Sequence, residues 1–243
     1  MSGWIHALWQ KKLCLLCLEQ VQGRQAICAA CQHDLPWLLH ACCDCALPLP
    51  AGDIRCRQCQ QQPFVFSTVA APWRYAFPVD ALIGRFKYSA GWSYGFLLSQ
   101  GLAEHLQYLY REQYLSRPDY LLAVPLARNR QRQRGYNQAQ MIAQWLAVSL
   151  QIEYLGAVLR RIRQTQTQQG LSARQRRHNL SGAFAVEQVQ LLRGKHVALV
   201  DDVVTTGATC ATIASELLAA GVRRVDVYCL ARTGQGRSQS EVI

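Results

Sequence analysis

Short apolar runs alternate with amphipathic stretches along most of this chain of 243 residues. Runs that are apolar nearly throughout are typical of strands buried on both faces of a sheet. They predict strands at residues 119–126, 197–200 and 224–231, and residues 64–75 also have strand composition, with Pro72 indicating a sheet edge or a bulge. Apolar residues at helical spacing predict helices at residues 79–88 and 91–114, from near Asn137 onward, and from Thr205 to Gly221. The alternation predicts an α/β fold with a parallel sheet flanked by helices.

The strongest functional signal is residues 197–209, which read VALVDDVVTTGAT. Two carboxylates, Asp201 and Asp202, follow the four apolar residues, where the strand is expected to end. A small turn then opens the helix, and its residues are Thr205, Thr206, Gly207, Ala208 and Thr209. Free N–H groups and the helix dipole attract an anion at such a turn, and Gly207 allows close approach. Because carboxylates accept hydrogen bonds from sugar hydroxyls, the stretch predicts a site for a ribose 5-phosphate.

Two other interpretations of this stretch are compatible with its strand. One is a strand that merely ends in a charged loop, as in many α/β proteins. The other is an acidic strand of the nucleotidase type, which requires a P-loop. The chain contains no G-x-x-x-x-G-K-[ST] motif, so the second interpretation is disfavoured.

Four C-x-x-C pairs recur at intervals of 14 residues and predict two zinc sites with four cysteine ligands each. The pairs are Cys14 and Cys17, Cys28 and Cys31, Cys42 and Cys45, and Cys56 and Cys59. Pairing in sequence order gives two consecutive zinc ribbons, and the spacing does not exclude an interleaved pairing. Four evenly spaced copies disfavour the alternative of a redox C-x-x-C. With few large apolar residues, this module needs metal to fold, so the predicted sites are structural.

The formal net charge is +11, and 22 of the 26 basic residues are Arg. Residues 123–178 contain ten Arg and a single acid, Glu153. Four of these Arg alternate along a predicted extended segment, where they would point to both sides: Arg128, Arg130, Arg132 and Arg134. Such a field attracts polyanions, including nucleic acid, and the alternative is a solvated basic face without a partner.

Targeting signals, membrane segments and the remaining histidines and cysteines also have implications for location and function. No apolar run is long enough to cross a membrane, and the N-terminus lacks the pattern of a cleavable signal. We therefore expect a cytoplasmic protein without membrane insertion. His178 and His196 have no evident partners, and Cys210 and Cys229 are expected to be buried as small hydrophobic residues.

Three features occur in one order: the paired cysteines, VPLARNRQRQRGYNQAQ from Val124, and RQTQTQQGLSARQRRHNLSGAF from Arg163, ahead of the 197–209 stretch. The last stretch resembles the phosphoribosyl-pyrophosphate (PRPP) signature of type I phosphoribosyltransferases. The combination resembles the ComF/GntX family, which are phosphoribosyltransferase-like proteins associated with competence and the use of external DNA. The resemblance extends from Cys14 to about Arg232 and is closest to the GntX branch.

The resemblance implies a type I phosphoribosyltransferase fold for residues 63–232, preceded by a double zinc-ribbon module with a short N-terminal helix at residues 1–62. Residues 233–243 are expected to form a disordered tail. PRPP, brought as its Mg²⁺ complex, would place its ribose hydroxyls on Asp201 and Asp202 and its 5′-phosphate on residues 205–209. Its pyrophosphate would face Pro125, Leu126 and Arg128, with Arg134 in the R-G-x-N-Q signature. The implied catalytic residues are Asp201, Asp202 and Arg128, and the implied flexible loop contains Thr167, Gln168, Ser172 and Arg176.

Two functional hypotheses follow, both placing the protein in DNA uptake or utilisation. In the first, it is an enzyme, a glycosyltransferase that transfers phosphoribose from PRPP to an acceptor. In the second, it is a non-catalytic accessory factor that binds single-stranded DNA or a DNA-uptake protein and keeps the fold as a scaffold or ligand sensor.

Overall fold

A computed structural model describes residues 13–21, 26–89, 91–156, 158–162 and 182–234. By compactness the chain divides into two units, Met1–Leu35 and Pro36–Ile243. The sequence predicts a domain boundary after residue 62, and this boundary stays a prediction. The predicted N-terminal helix, the loop residues Thr167, Gln168, Ser172 and Arg176, and the tail from residue 235 lie outside the described residues.

The smaller unit contains helix α1, Ala29–His33. Cys28 is its N-cap and accepts a hydrogen bond from the N–H of Cys31. An isolated antiparallel bridge joins Leu13 to Gln20 across the first C-x-x-C turn.

The larger unit contains the sheet and the remaining described elements. Its helices are α2 (Arg57–Gln61), α3 (Val79–Tyr88), α4 (Trp92–Arg111), α5 (Arg128–Arg134), α6 (Gln138–Leu150), α7 (Val189–Leu192) and α8 (Ala208–Ala219). Its strands are β1 (Val69–Ala70), β2 (Trp73–Arg74), β3 (Tyr120–Ala123), β4 (Glu153–Tyr154), β5 (Leu159–Arg161), β6 (Phe184–Val186), β7 (His196–Val204) and β8 (Arg224–Arg232).

Six of the described strands form one sheet in the order β1–β8–β7–β3–β4, with β2 also on β8. All its pairs are parallel. Strands β5 and β6 form a separate antiparallel pair. Strands β1 and β2 are separated by a short break that contains Pro72, because proline has no N–H to donate to a sheet ladder. The predicted parallel α/β fold is confirmed.

The core lies against the middle of the sheet. Residues 197–200 of β7 are completely buried, as expected for a strand covered on both faces. Leu98, Leu102 and Leu106 of α4 are buried with Ile142 and Leu146 of α6. Cys210 and Cys229 are buried as predicted. Among the described residues, no helix has both the length and the apolar character needed to cross a bilayer.

Two local predictions are wrong, and His196 has a partner that the sequence does not reveal. Strand β7 does not end before Asp201 but continues to Val204, because β8 pairs with it as far as the partners Val204 and Arg232. Residues 128–134 form helix α5 instead of an extended segment, since Arg and Gln favour helices and Gly135 ends the helix at φ 78°. His196 has partners: its Nε2 lies 2.8 Å from Oδ2 of the buried Asp226.

Candidate functional site

The candidate site lies where β3 ends beside β7. From β3 the chain passes through α5 and α6 to β4, on one side of the pair. From β7 it passes through α8 to β8, on the other side. The loops after β3 and β7 therefore diverge and leave a crevice, which is where parallel α/β sheets bind ligands.

Asp201 and Asp202 lie half-buried on the part of β7 that extends beyond β3, which pairs with β7 only as far as Val200. The N–H of Asp202 donates to Oδ1 of Asp201 at 2.8 Å. Burial, and then the neighbouring charge of Asp202, raise the pKa of Asp201 to about 7 against the opposing effects of this N–H and of Lys87. At neutral pH the side chain of Asp201 is therefore poised between its protonated and ionised forms.

Lys87, on α3, is the counter-ion of this pair. Its Nζ lies 3.0 Å from Oδ1 of Asp202, and both side chains are only 14% exposed. Breaking a buried ion pair by removing one partner costs about 3–5 kcal/mol, so Lys87 is part of what allows two carboxylates on one strand. The sequence places Lys87 in the basic end of a helix but contains no local signal that links it to an acid 115 residues later.

The turn after β7 has the geometry of an anion site. Gly207 is the N-cap of α8 at φ 73°, a left-handed conformation that glycine adopts without strain. Gly207 has no side chain to cap the helix, and the N–H of Ala208 donates to Oγ1 of Thr206 at 3.4 Å. The N-terminal N–H groups of a helix that its N-cap side chain leaves uncapped can bind an anion. An open pocket of about 250 Å³, including adjoining solvent space, is lined by Asp201 and residues 203–210. Asp201 and the turn thus share one pocket, whereas Asp202 is not among the residues that line it.

Two aromatic rings support this turn from behind. Phe64 and Phe66 stack with their ring centres 4.6 Å apart. A Cβ atom at Gly207 would lie 3.3 Å from Phe64 and 3.5 Å from Phe66, so the backbone packs directly on these rings. The backbone angle therefore favours glycine at this position, and the two rings leave little room for a larger side chain.

The loop after β3 is held by the R-G-x-N-Q signature. The N–H of Val124 donates to the carbonyl of Val200 at 2.9 Å, which keeps the loop beside β7. Asn137 donates through Nδ2 to the carbonyl of Val124 at 3.1 Å and also caps α6 by accepting from Ala139. This double role explains the asparagine. Pro125 and Leu126 follow in half-buried positions.

The predicted arginines occupy different environments. Arg134 is half-buried and donates to Oε1 of Gln138 and to the hydroxyl of Tyr88, both at 3.1 Å. Its guanidinium also lies 4.9 Å from the centre of the Tyr88 ring. Arg128 is the exposed first residue of α5. Arg134 thus fixes α5 against its neighbours, and Arg128 remains accessible at the mouth of the β3 loop.

The eight paired cysteines form two clusters in sequence order, so the pairing that the sequence left open is resolved. The clusters are Cys14, Cys17, Cys28 and Cys31, and Cys42, Cys45, Cys56 and Cys59. Within each, the sulfur atoms lie within 4.8 Å of one another, and the Cys17–Cys28 and Cys45–Cys56 pairs are 3.7 Å apart. Tetrahedral zinc with Zn–S bonds of about 2.3 Å requires sulfurs about 3.8 Å apart. Each cluster therefore fits a zinc ion.

Backbone N–H groups support the thiolate form in both clusters. Burial opposes ionisation of Cys14, but N–H donors including those of Cys28 and Leu16 outweigh it and lower the pKa to about 6. The same balance lowers the pKa of Cys42 to about 7, whereas burial raises the pKa of Cys45 to about 11 and also raises the pKa of Cys31 and Cys59. Such second contacts orient the ligands and are typical of zinc-binding turns.

Comparison with known proteins identifies the family. A profile of the phosphoribosyl transferase domain matches residues 132–242. The DNA utilization protein YhgH of Escherichia coli O157:H7 is 36% identical over 91% of this chain and 97% of that protein. Competence protein F of Haemophilus influenzae is 33% identical over 90% of this chain and 96% of that protein. The chain belongs to the ComF/GntX family.

Membership in the ComF/GntX family confirms the resemblance inferred from the sequence. Among solved structures, the glutamine PRPP amidotransferase of Bacillus subtilis is similar, with a TM-score of 0.36 and 21% identity over 56% of this chain and 25% of that chain. The strand order and the domain match establish the phosphoribosyltransferase-like fold, and the relatives' names associate the ComF/GntX family with DNA utilisation and competence.

We expect Asp201→Asn to stabilise the protein at about pH 8 and to have little effect near pH 4. The folded protein keeps the Asp201 proton up to about pH 7, whereas an ordinary aspartate loses it near pH 3.8. Between these values the folded state binds more protons than the unfolded state, so rising pH lowers the free energy of unfolding until the pH exceeds the folded pKa. The neutral amide of asparagine does not titrate, so the variant does not lose this stability as the pH rises.

Thermal melts followed by circular dichroism at several pH values test this expectation. The difference in Tm between variant and wild type should grow from about pH 4 to pH 8, reaching a few degrees. Glu104→Gln, which removes an exposed carboxylate of α4, should melt like the wild type. A Tm difference that is independent of pH would contradict the raised pKa.

Proposed function

We propose that the site binds PRPP, or a related ribose phosphate, and that the protein transfers phosphoribose to an acceptor during DNA uptake or utilisation. The observation that supports this most is the shared pocket of Asp201 and the Gly207 turn. A phosphate acceptor beside sugar-hydroxyl acceptors matches the two ends of a ribose 5-phosphate.

The two halves of the ligand meet different chemistry. The 5′-phosphate accepts hydrogen bonds from the N–H groups of the turn and is favoured by the positive end of the α8 dipole. The ribose 2′- and 3′-hydroxyls donate to Asp201 and Asp202. These carboxylates need to be ionised to accept both, so binding strengthens as the pH rises through the pKa of Asp201, about 7.

The transfer step breaks the bond between C1 of the ribose and the pyrophosphate oxygen. Pyrophosphate leaves with the bonding electrons, and the acceptor forms the new bond to C1. Positive groups that stabilise the leaving charge accelerate such a step. The β3 loop, with Pro125, Leu126 and Arg128, is the proposed pyrophosphate side, and Thr167, Gln168, Ser172 and Arg176 stay part of the proposal as the loop that excludes water.

Calorimetric titration of Mg²⁺–PRPP into the zinc-loaded protein at about pH 8 tests the site. We expect saturable binding to the wild type and a loss of at least about 100-fold in affinity for Asp201→Asn/Asp202→Asn, because two acceptors of the ribose hydroxyls are weakened. The matched control is Glu104→Gln/Glu112→Gln, which removes two exposed acids of the α4 region and so makes the same charge change.

This control distinguishes PRPP binding at the proposed site from the general electrostatic attraction of a basic protein for a polyanion. Binding that is equal in the acidic-pair variant and the wild type would contradict the proposed site. Release of pyrophosphate in the presence of candidate acceptors then tests turnover.

A second candidate function, binding of single-stranded DNA, is favoured by a surface where aromatic and basic residues meet. Tyr88 and Trp92 are 75% and 56% exposed. Trp92 makes an edge contact with Tyr136, and Arg134 lies over Tyr88. Proteins that bind single strands without sequence preference typically have exposed aromatic rings on which bases stack, next to basic residues that contact the phosphate backbone of the nucleic acid.

Fluorescence anisotropy with a labelled oligothymidylate tests this second function. Tyr88→Ala/Trp92→Ala is expected to weaken binding by roughly 5- to 150-fold for each lost stack. The control Tyr108→Ala removes an exposed ring that also lies beside an arginine, Arg111, on α4. The logarithm of affinity should fall linearly with the logarithm of salt concentration. Equal affinities for wild type and the double variant would exclude this surface.

A further inference from the structure

Arg232, the last residue of β8, joins the second cysteine cluster to the phosphate turn. It is 4% exposed. Its Nε donates to the carbonyl of Cys45 at 2.8 Å. Its Nη1 donates to the carbonyls of Val204, at 3.0 Å, and Thr205. One buried guanidinium thus donates hydrogen bonds both to the backbone of Cys45, a predicted zinc ligand, and to the backbone of the two residues at the start of the Gly207 turn.

The charge of Arg232 requires compensation, because a buried cation is costly unless it is paired. The hydrogen bonds that the structure gives its guanidinium all go to backbone carbonyls. A zinc ion with four thiolates has a net charge of two minus, so zinc in the second cluster would place negative charge next to the carbonyl of Cys45 that Arg232 binds. The planar fork of arginine, unlike the point charge of lysine, can reach both sets of carbonyls at once.

A second connection runs through the segment that follows the cluster. Phe64 lies five residues after Cys59, and its ring and that of Phe66 lie beside Gly207, 3.3 and 3.5 Å from where a Cβ atom would be. The turn that contains Asp44 is joined to β1, since the N–H of Val69 donates to the carbonyl of Asp44 at 2.9 Å. The cluster is therefore connected to the phosphate turn by the hydrogen bonds of Arg232 and by the aromatic segment that follows Cys59.

We propose that the second cysteine cluster is a structural part of the phosphate site and that Arg232 is the positioning residue that couples its metal to residues 204–209. The nature of the ligand rests on the proposed function, but the coupling itself does not. By thermodynamic linkage, metal in the cluster tightens phosphate binding, and a phosphate ligand raises the affinity for the metal by the same factor. The first cluster, which belongs to the other compact unit, serves as an internal control.

Zinc release to a chromogenic chelator from the full-length protein is the first test. The two release phases are assigned with Cys17→Ser and Cys45→Ser, which each disrupt one cluster. Arg232→Met should speed release from the second cluster on the order of tenfold and leave the first unchanged. Arg232→Lys should fall between. The matched control is Arg74→Met, because Arg74 is the exposed register partner of Arg232 on β2.

Hydrogen exchange of the wild type is the second test and requires no variant to fold. Removal of zinc from the second cluster should speed exchange of amides 205–210 on the order of tenfold, while amides of α6 keep their rates. Unchanged exchange of residues 205–210, or unchanged zinc release in Arg232→Met, would overturn the proposal.

Calorimetry with Mg²⁺–PRPP distinguishes failure of this inference from failure of the proposed function. A wild type that does not bind PRPP contradicts the proposed ligand, and the zinc-release and exchange results still decide the coupling. If the wild type binds, Arg232→Met should bind on the order of tenfold more weakly than Arg74→Met. Equal affinities of these two variants would overturn the coupling while leaving the proposed function intact.

Discussion

Strands β7 and β8 continue to pair after β3 has ended, and the candidate site depends on this difference in length. Pairing with β3 ends at Val200, whereas pairing with β8 continues to Val204. Asp201 and Asp202 therefore lie on rigid strand rather than in a loop, with one edge open toward the crevice. The same extension brings Arg232 level with Val204 and fixes the start of the Gly207 turn.

The arrangement concentrates charge where burial makes charge expensive. Two carboxylates are adjacent on one strand, and one of them has a pKa raised to about 7. Lys87 compensates one side of the pair, and Arg232 holds the turn from the other side through carbonyls. Sites of this kind lower stability in exchange for binding capacity, which is a common property of functional sites.

The sequence predicted the elements and motifs well because their signals are local. Apolar runs revealed β3, β7 and β8, and the C-x-x-C spacing revealed both cysteine clusters. The end of β7 was misplaced because Asp201 and Asp202 disfavour strands locally, and only pairing with β8 extends the strand. Lys87 and Arg232 were missed as partners because each acts on a residue more than a hundred positions away or in another element, which no local pattern encodes.

A crystal structure of the zinc-loaded protein with Mg²⁺–PRPP bound is the most direct test of the proposed site. We expect the 5′-phosphate on the N–H groups of residues 206–209 and the ribose hydroxyls within hydrogen-bond distance of Asp201 and Asp202. A ligand bound elsewhere on the basic surface, with the Gly207 turn empty at saturating concentration, would contradict it.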